Sequence, residues 1–289
     1  LFEIQAELAG AKLELVPEVL DVQDVAAIES ALNRYQPSVI FHAAAYKHVS
    51  LMERQPMMAV RNNVLATHQL ARASAEQGVE HFILISTDKA VAPSSVMGAT
   101  KRLAEQILQG HAFGDVSTCF ITVRFGNVLG SSGSVVPIFQ RQIELGGPVT
   151  VTDEKATRFF MSIPEAAGLV LHSAAIGKNR DRFILEMGEA VRIMDLAKQM
   201  IRLNGFEVGE DIKIQCTGLK DGEKLHEELH AIEEKLTDTA HPKIKRIQGS
   251  ELTVERWQSL ALALQEVSKL DNTTALNWLR KVLPDFRPE

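Results

Sequence analysis

The apolar run Phe82-Ile83-Leu84-Ile85 ends abruptly in a polar cluster, Ser86-Thr87-Asp88-Lys89. A Pro-containing loop follows, then the start of a helix carrying Met97 and Lys101. A short continuous apolar run that feeds a polar tip and then a helix reads as a buried parallel strand whose C-terminal end opens on a cleft. The pattern recurs on both sides. Residues 12–21 read as a strand with a polar end, and residues 24–35 have helical spacing, with Val25, Ile28 and Leu32 on one face. Residues 39–45 read as a strand ending in small residues. Residues 53–77 read as one long helix, with Pro56 near its start, where proline is tolerated, and Gly78 as its stop. A helix over 97–113 and a strand over Cys119–Phe125, ending in Gly126-Asn127, complete the series.

Strands alternating with helices of this length predict βαβ units, and so an α/β fold with a parallel sheet. Right-handed crossovers then bring every strand C-terminus to one edge. Asp21, Ala43 to Ala45, Thr87 to Lys89 and Gly126-Asn127 are predicted to share that edge, where open α/β sheets bind ligands. An isolated Asp-Lys pair is ordinarily a solvated ion pair of little consequence. Its place at a strand tip, among other polar tips, makes Asp88 and Lys89 candidates for proton transfer.

Beyond Asn127 the character shifts. Residues 130–134 form a flexible polar loop, 136–145 a helix, and Gly146-Gly147-Pro148 a turn. Residues 149–152, 183–187 and 212–216 are strand-like, and Ile193–Leu203 is helical. Ser162-Ile163-Pro164-Glu165 has the order of a helix start. Residues 218–225 lead into an acidic helix, and 253–283 read as two amphipathic helices.

The chain has 289 residues, 45% hydrophobic and 24% charged, which suits a soluble globular protein with a large core or two lobes. A net charge of -6 excludes a global basic field for nucleic acid or anionic lipid. The two cysteines, Cys119 and Cys216, are no disulfide framework and are expected to be small buried hydrophobes in a reducing compartment. No apolar run approaches the roughly 20 residues of a membrane span. The first residues read as an amphipathic helix end without an initiator Met, so the segment is expected to begin inside a larger protein.

Six segments, in order, resemble one family: HAAAYKHVSLME (42–53), NNVLAT (62–67), ISTDKAVAPSSVMGATKRLAE (85–105), RFGNVLGSSGSVVP (124–137), VTDEKATRFFMSIPEA (151–166) and DGEKLHEEL (221–229). They resemble the polysaccharide-biosynthesis branch of the extended short-chain dehydrogenase/reductases, closest to the UDP-N-acetylglucosamine 4,6-dehydratases. The resemblance implies a Rossmann-type parallel sheet that holds NAD or NADP and a smaller C-terminal lobe that holds a UDP-sugar. It assigns 1–127 to the cofactor domain, with its first βαβ segment missing. It assigns 128–289 mainly to the substrate lobe and C-terminal helices, with 149–187 returning in part to the first domain. It implies a homo-oligomer on the cytoplasmic side, anchored by any spans upstream, that makes bacterial surface polysaccharide. A 4-epimerase of the same fold and a non-catalytic nucleotide-sugar-binding fragment are the alternatives.

By the same resemblance, Lys101 matches the lysine that holds the nicotinamide ribose, and Met97 stands where the family usually has Tyr. A thioether takes no proton from a hydroxyl, but Met here is a known variant of the large dehydratases. Lys89 is implied as the base at C5, Asp88 as the acid for the leaving C6 hydroxyl, and Thr87 as a hydrogen-bonding group near O4. These roles ask for a depressed Lys89 and a raised Asp88. With Tyr absent, the base for the O4 proton is left open between Asp88 and a water. Asp21, Val22, Ala43, Ala44, Ala45 and Asn63 are implied on the cofactor side. Lys47, Asn127, Arg158, Lys220 and Glu223 are implied around the UDP-sugar, although Lys220-Asp221-Gly222 departs from the family's Arg-Pro-Gly.

The Gly-x-Gly-x-x-Gly fingerprint is absent, and the resemblance puts it upstream of Leu1. The sheet is therefore expected to have a gap between strands 12–21 and 39–45, its open edges covered by a partner, and NAD(P) affinity is expected to be below normal. His226-Glu227-Glu228-Leu229-His230 satisfies a zinc-peptidase pattern. With no convincing third ligand it reads as a solvated helix, and no metal is expected.

Overall fold

The computed structural model describes residues 2–111, 114, 116–131, 133–249 and 251–288. Leu1, Ala112, Phe113 and Ser132, which fall in predicted elements, lie outside these. The central sheet contains β1 (Val39–His42), β2 (His81–Thr87), β3 (Cys119–Phe125), β4 (Arg182–Leu185), β5 (Lys235–Asp238) and β6 (Ile244–Gln248), in the order β1-β2-β3-β4-β6-β5. The first four strands are parallel, and β6 and β5 extend the sheet antiparallel. Register aligns the tips: Thr87 lies opposite Phe125, so the Thr87-Asp88-Lys89 and Gly126-Asn127 turns leave from the same edge.

Alternation along the strands explains the two layers. Phe82, Leu84 and Phe120 pack with α1 (Val25–Tyr35), α2 (Ala66–Glu76) and α3 (Val96–His111). Ile83, Ile121, Val123, Phe183 and Leu185 pack with α4 (Ile163–Ile176) on the opposite face. The α1 and α4 starts are capped by Asp24, which accepts from Ala27 N, and Ser162, which accepts from Glu165 N. The C-terminal helices α5 (Val254–Leu264) and α6 (Asn272–Val282) close over α3. Leu260, Leu264, Trp278, Leu279 and Phe286 form one apolar cluster with Val60, Val64, Met97 and Leu103. Thirteen of the sixteen residues of α3 are therefore buried, which holds rigid the helix that carries Lys101.

Four expectations are overturned. Residues 12–21 form no strand, and the sheet has no gap. Pro17 removes a ladder donor there, and among the described residues no neighbouring strand pairs with this stretch. β1 is instead the edge strand, with Val39 and Phe41 exposed. The long helix is broken at Gln55: Val49–Arg54 and Pro56–Ala59 are separate turns, and Val60–Leu65 winds as a π-helical turn before α2. The acidic helix after residue 225 does not form; the chain there is irregular and continues into β5 and β6. Two of its carboxylates, Glu227 and Glu234, are drawn inside by cations far away in sequence, which a surface helix cannot offer. Finally, Cys119 is half-buried and Cys216 exposed, both free, each at the end of a strand.

A buried network ties the layers beside the β2 tip. Arg124 donates to Glu105 through Nε (2.7 Å) and Nη2 (2.6 Å), and to Glu234 through Nη1 (2.7 Å). Arg182 Nη1 donates to Glu234 at 2.8 Å, and Ser86 Oγ donates to Glu105 at 2.6 Å.

Candidate active site

The polar tip of β2 is held by its own side chains. Thr87 Oγ1 donates to Asp88 Oδ1 at 2.8 Å and accepts from Lys89 N, capping a single 3-10 turn. Asp88 is 1% exposed. Its Oδ1 also accepts from Lys89 Nζ at 3.0 Å, while its Oδ2 is buried with no hydrogen-bond partner. Lys89 Nζ reaches Asn127 Oδ1 at 3.3 Å and Glu227 Oε1 at 3.3 Å. Burial alone pulls Lys89 down, but Asp88 and Glu227 outweigh it and the net shift is upward. The depressed lysine implied by the resemblance is thus reversed at rest, because two carboxylates, not one, face it.

Two glycines make this approach possible. A Cβ on Gly126 would lie 3.1 Å from both Asp88 Oδ2 and Phe159 Cβ. A Cβ on Gly98, in the first turns of α3, would lie 2.2 Å from Lys89 O, a backbone atom that cannot swing aside. Gly98→Ala is therefore expected to displace the Lys89 turn, at a stability cost of about 1–3 kcal/mol and with loss of activity. A thermal melt and an activity assay check it; a variant with wild-type melting and activity would show that the turn is not held by this contact.

Lys89 opens on a cavity of ≈ 300 Å³, at the small end of ligand sites. Asn127, Arg158, Lys220 and Glu223 line it, as do His48 and Glu227, which the sequence did not assign to this site. Arg158 is nearly buried. Its Nη2 donates to Glu223 Oε1 at 2.8 Å, and its Nη1 donates to the carbonyls of Thr157 and Leu225. Glu223 also accepts from Thr152 Oγ1 and, through Oε2, from Lys220 N. The implied substrate residues thus converge, and Arg158 and Glu223 pair with each other. Lys47 does not join them; it lines a neighbouring cavity with Tyr46, Leu51 and Met52.

On the cofactor side the placement is mixed. Lys101 is buried, and its Nζ donates to Ile85 O at 2.6 Å, just before the β2 tip. Burial pulls it down to about 8, with Glu105 opposing. Ala43 to Ala45 follow β1 with little side chain to obstruct the backbone, and Ala43 and Ala44 are exposed. Asn63, inside the π turn, spends all four hydrogen-bonding positions on the protein: Tyr46 N and Asn62 Nδ2 donate to it, and it donates to Tyr46 O and Thr100 Oγ1. It straps the loop after β1 to α3, so any service to a cofactor is indirect. Met97 is 4% exposed, packed in the apolar cluster and absent from the cavity lining, so it handles no proton. Asp21 and Val22 lie on the loop before α1, where Asp21 Oδ1 accepts from Gln23 N, and not at a strand tip. A buried ammonium beside an open alanine turn fits the nicotinamide-ribose end of NAD(P). Among the described residues, no glycine-rich strand-to-helix turn provides a seat for the pyrophosphate.

The His-Glu-x-x-His stretch is not helical. His226 Nδ1 meets Thr157 Oγ1 at 2.9 Å and His230 Nδ1 meets Ala231 O at 3.0 Å. Among the described residues no group of three potential ligands could hold a metal ion, and no helix is long and apolar enough to cross a membrane.

Comparison with known proteins places the chain in a family and identifies its fold. Residues 1–249 match the model of a family described as "Polysaccharide biosynthesis protein". The chain is 50% identical over 232 residues to the capsular polysaccharide biosynthesis protein CapD of Staphylococcus aureus, covering 79% of this chain and 39% of CapD. It therefore spans well under half the length of that relative. The X-ray structure of Pen from Bacillus thuringiensis matches with a TM-score of 0.77 at 32% identity, covering 86% of this chain and 76% of Pen. The UDP-glucose 4-epimerase of Thermus thermophilus, solved in complex with NAD, matches with a TM-score of 0.66 at 20% identity, covering 79% and 85%. The fold is the Rossmann-type α/β fold of these structures.

Proposed function

The chain belongs to the polysaccharide biosynthesis protein family, and from that premise we propose that it carries the active site of a nucleotide-sugar 4,6-dehydratase. The substrate is UDP-N-acetylglucosamine and the product its 4-keto-6-deoxy derivative, for bacterial surface polysaccharide. The observation that carries this reading is the Asp88–Lys89 pair. It couples a carboxylate with one free buried oxygen to a lysine that faces a cavity also lined by Arg158.

A bound NAD(P)+ would supply the removal of hydride from C4 and its return at C6; the proton of the C4 hydroxyl leaves to a water, and the proton that Lys89 takes from C5 is the one it gives back there. The chain's own residues move protons. Elimination of water beside a ketone needs a base for the C5 proton and an acid for the departing C6 hydroxyl. At rest the pair is Asp88 carboxylate and Lys89 ammonium. One proton passed from Nζ to Oδ1 across 3.0 Å leaves a neutral amine and a carboxylic acid, the two states the reaction requires. Exclusion of water by the sugar favours that neutral form over a buried ion pair. Arg158 offers a guanidinium fork suited to a diphosphate, provided Glu223 yields its place. Lys101, with further donors on its ammonium, is the residue for the ribose of the cofactor.

Incubating protein made from the complete reading frame with UDP-N-acetylglucosamine and NAD(P)+ is expected to give a 4-keto-6-deoxy sugar nucleotide by mass spectrometry and NMR. Recovery of only the C4 epimer would replace the dehydratase reading with an epimerase. UDP-sugar binding without turnover would make the chain a binding module.

A further inference from the structure

Glu227 stands apart from every residue the sequence assigned to the site. It comes from the irregular segment that replaces the expected acidic helix, and its side chain is 3% exposed. Oε1 lies 3.3 Å from Lys89 Nζ and 3.8 Å from Arg158 Nε. Oε2 is buried without a hydrogen-bond partner, in a residue that lines the cavity. A buried carboxylate oxygen left unpaired is costly unless another group satisfies it. Asp88 and Glu227 flank one ammonium, and each keeps one unpartnered oxygen. The donors that a nucleotide sugar brings to such oxygens are ring hydroxyls.

We propose that Glu227 is a positioning residue of this site: one carboxylate oxygen holds the Lys89 ammonium in place, and the other accepts a hydroxyl of the sugar. The second half rests on the nucleotide-sugar reading above; the first does not. The groups facing Lys89 are Asp88 on its own turn, Glu227 on this segment, and Arg158 on the two-residue strand Thr157–Arg158, with Asn127 the neutral neighbour. A sugar hydroxyl donated to Glu227 shares out its negative charge and loosens its hold on the lysine. Sugar binding and release of the Lys89 proton are then coupled through one carboxylate.

Competitive acetylation with limiting acetic anhydride tests the first half without any substrate. The rate at Lys89 follows its fraction of free amine and is read by mass spectrometry against Lys198 in the same chain. Glu227→Gln is expected to raise Lys89 labelling about tenfold or more, the effect of removing one close opposite charge. Glu227→Ala, which cannot crowd the cavity, is expected to do the same. Unchanged labelling in a folded variant overturns the proposal. Calorimetry tests the second half: Glu227→Gln is expected to weaken UDP-N-acetylglucosamine about tenfold, as for a lost hydrogen bond to a charged acceptor, and to leave UDP unaffected. Equal weakening of both ligands, or of neither, removes the sugar contact. If wild-type protein fails to form product but labelling rises in Glu227→Gln, the dehydratase reading falls and the Glu227–Lys89 linkage stands.

Discussion

Replacing Asp88 by Asn is expected to lower kcat about 10²–10⁴-fold, the contribution of one placed proton-transfer group, with KM and thermal stability little changed. The amide keeps an oxygen for Thr87 and Lys89, so the turn is retained. It cannot take the proton that Lys89 must lose, nor give one to a leaving hydroxyl. Arg158, Glu223 and Asn127, which line the cavity, make no hydrogen bond to Asp88 Oδ2, so binding of the nucleotide is expected to be spared. Steady-state kinetics beside a thermal melt separate the cases. A kcat within a factor of a few of wild type, in a folded variant, would remove Asp88 from the chemistry.

The largest expected loss of stability is at Arg124. Arg124→Met removes the cation that bridges the buried carboxylates of Glu105 and Glu234, leaving Arg102 at 3.3 Å from Glu105 and Arg182 at 2.8 Å from Glu234, and is expected to cost up to about 3–5 kcal/mol, the range for breaking a buried ion pair by removing one partner. Urea unfolding measures it directly. The pH dependence gives a second check. Burial would raise Glu234, but Arg124 and then Arg182 bring it down to about 2. Glu105 is lowered too, against its own burial, chiefly by Arg124. Both are depressed carboxylates. Their contribution is therefore complete above the ordinary value near 4.5 and is lost as pH falls from there toward about 2. The wild-type chain should lose stability across that window, and Arg124→Met should lose much less. Parallel curves for the two proteins would show that the network does not set acid stability. Ser86 on β2 donates to Glu105 in this network, so any effect on turnover would pass through the β2 tip and accompany the loss of stability.

Much of the site could be read in the chain because its signals are local. A continuous apolar strand that stops at Thr87-Asp88-Lys89 carries its own direction, and the parallel register that follows from βαβ order puts Gly126-Asn127 beside it. The resemblance brought Arg158, Lys220 and Glu223 to the same cavity. The failures share a cause. Residues 12–21 have strand-like composition but no neighbour to pair with. The residues after 225 have helical spacing, but Glu227 and Glu234 are claimed by Lys89 and Arg124, remote in sequence. Spacing along the chain also does not announce that Asn63 ties the loop after β1 to α3 or that Met97 packs in the core.

The sequence by itself determined that strands and helices alternate, that the strand tips share an edge, and that an acid and an amine stand at one tip, because side-chain period and chain direction are local properties. Only the tertiary structure decided the charge on that amine. Lys89 is bracketed by Asp88 from its own turn and by Glu227 from a segment more than a hundred residues away, and their combined field outweighs the downward pull of burial. Electrostatic energy depends on distance in space, which spacing along the chain does not encode.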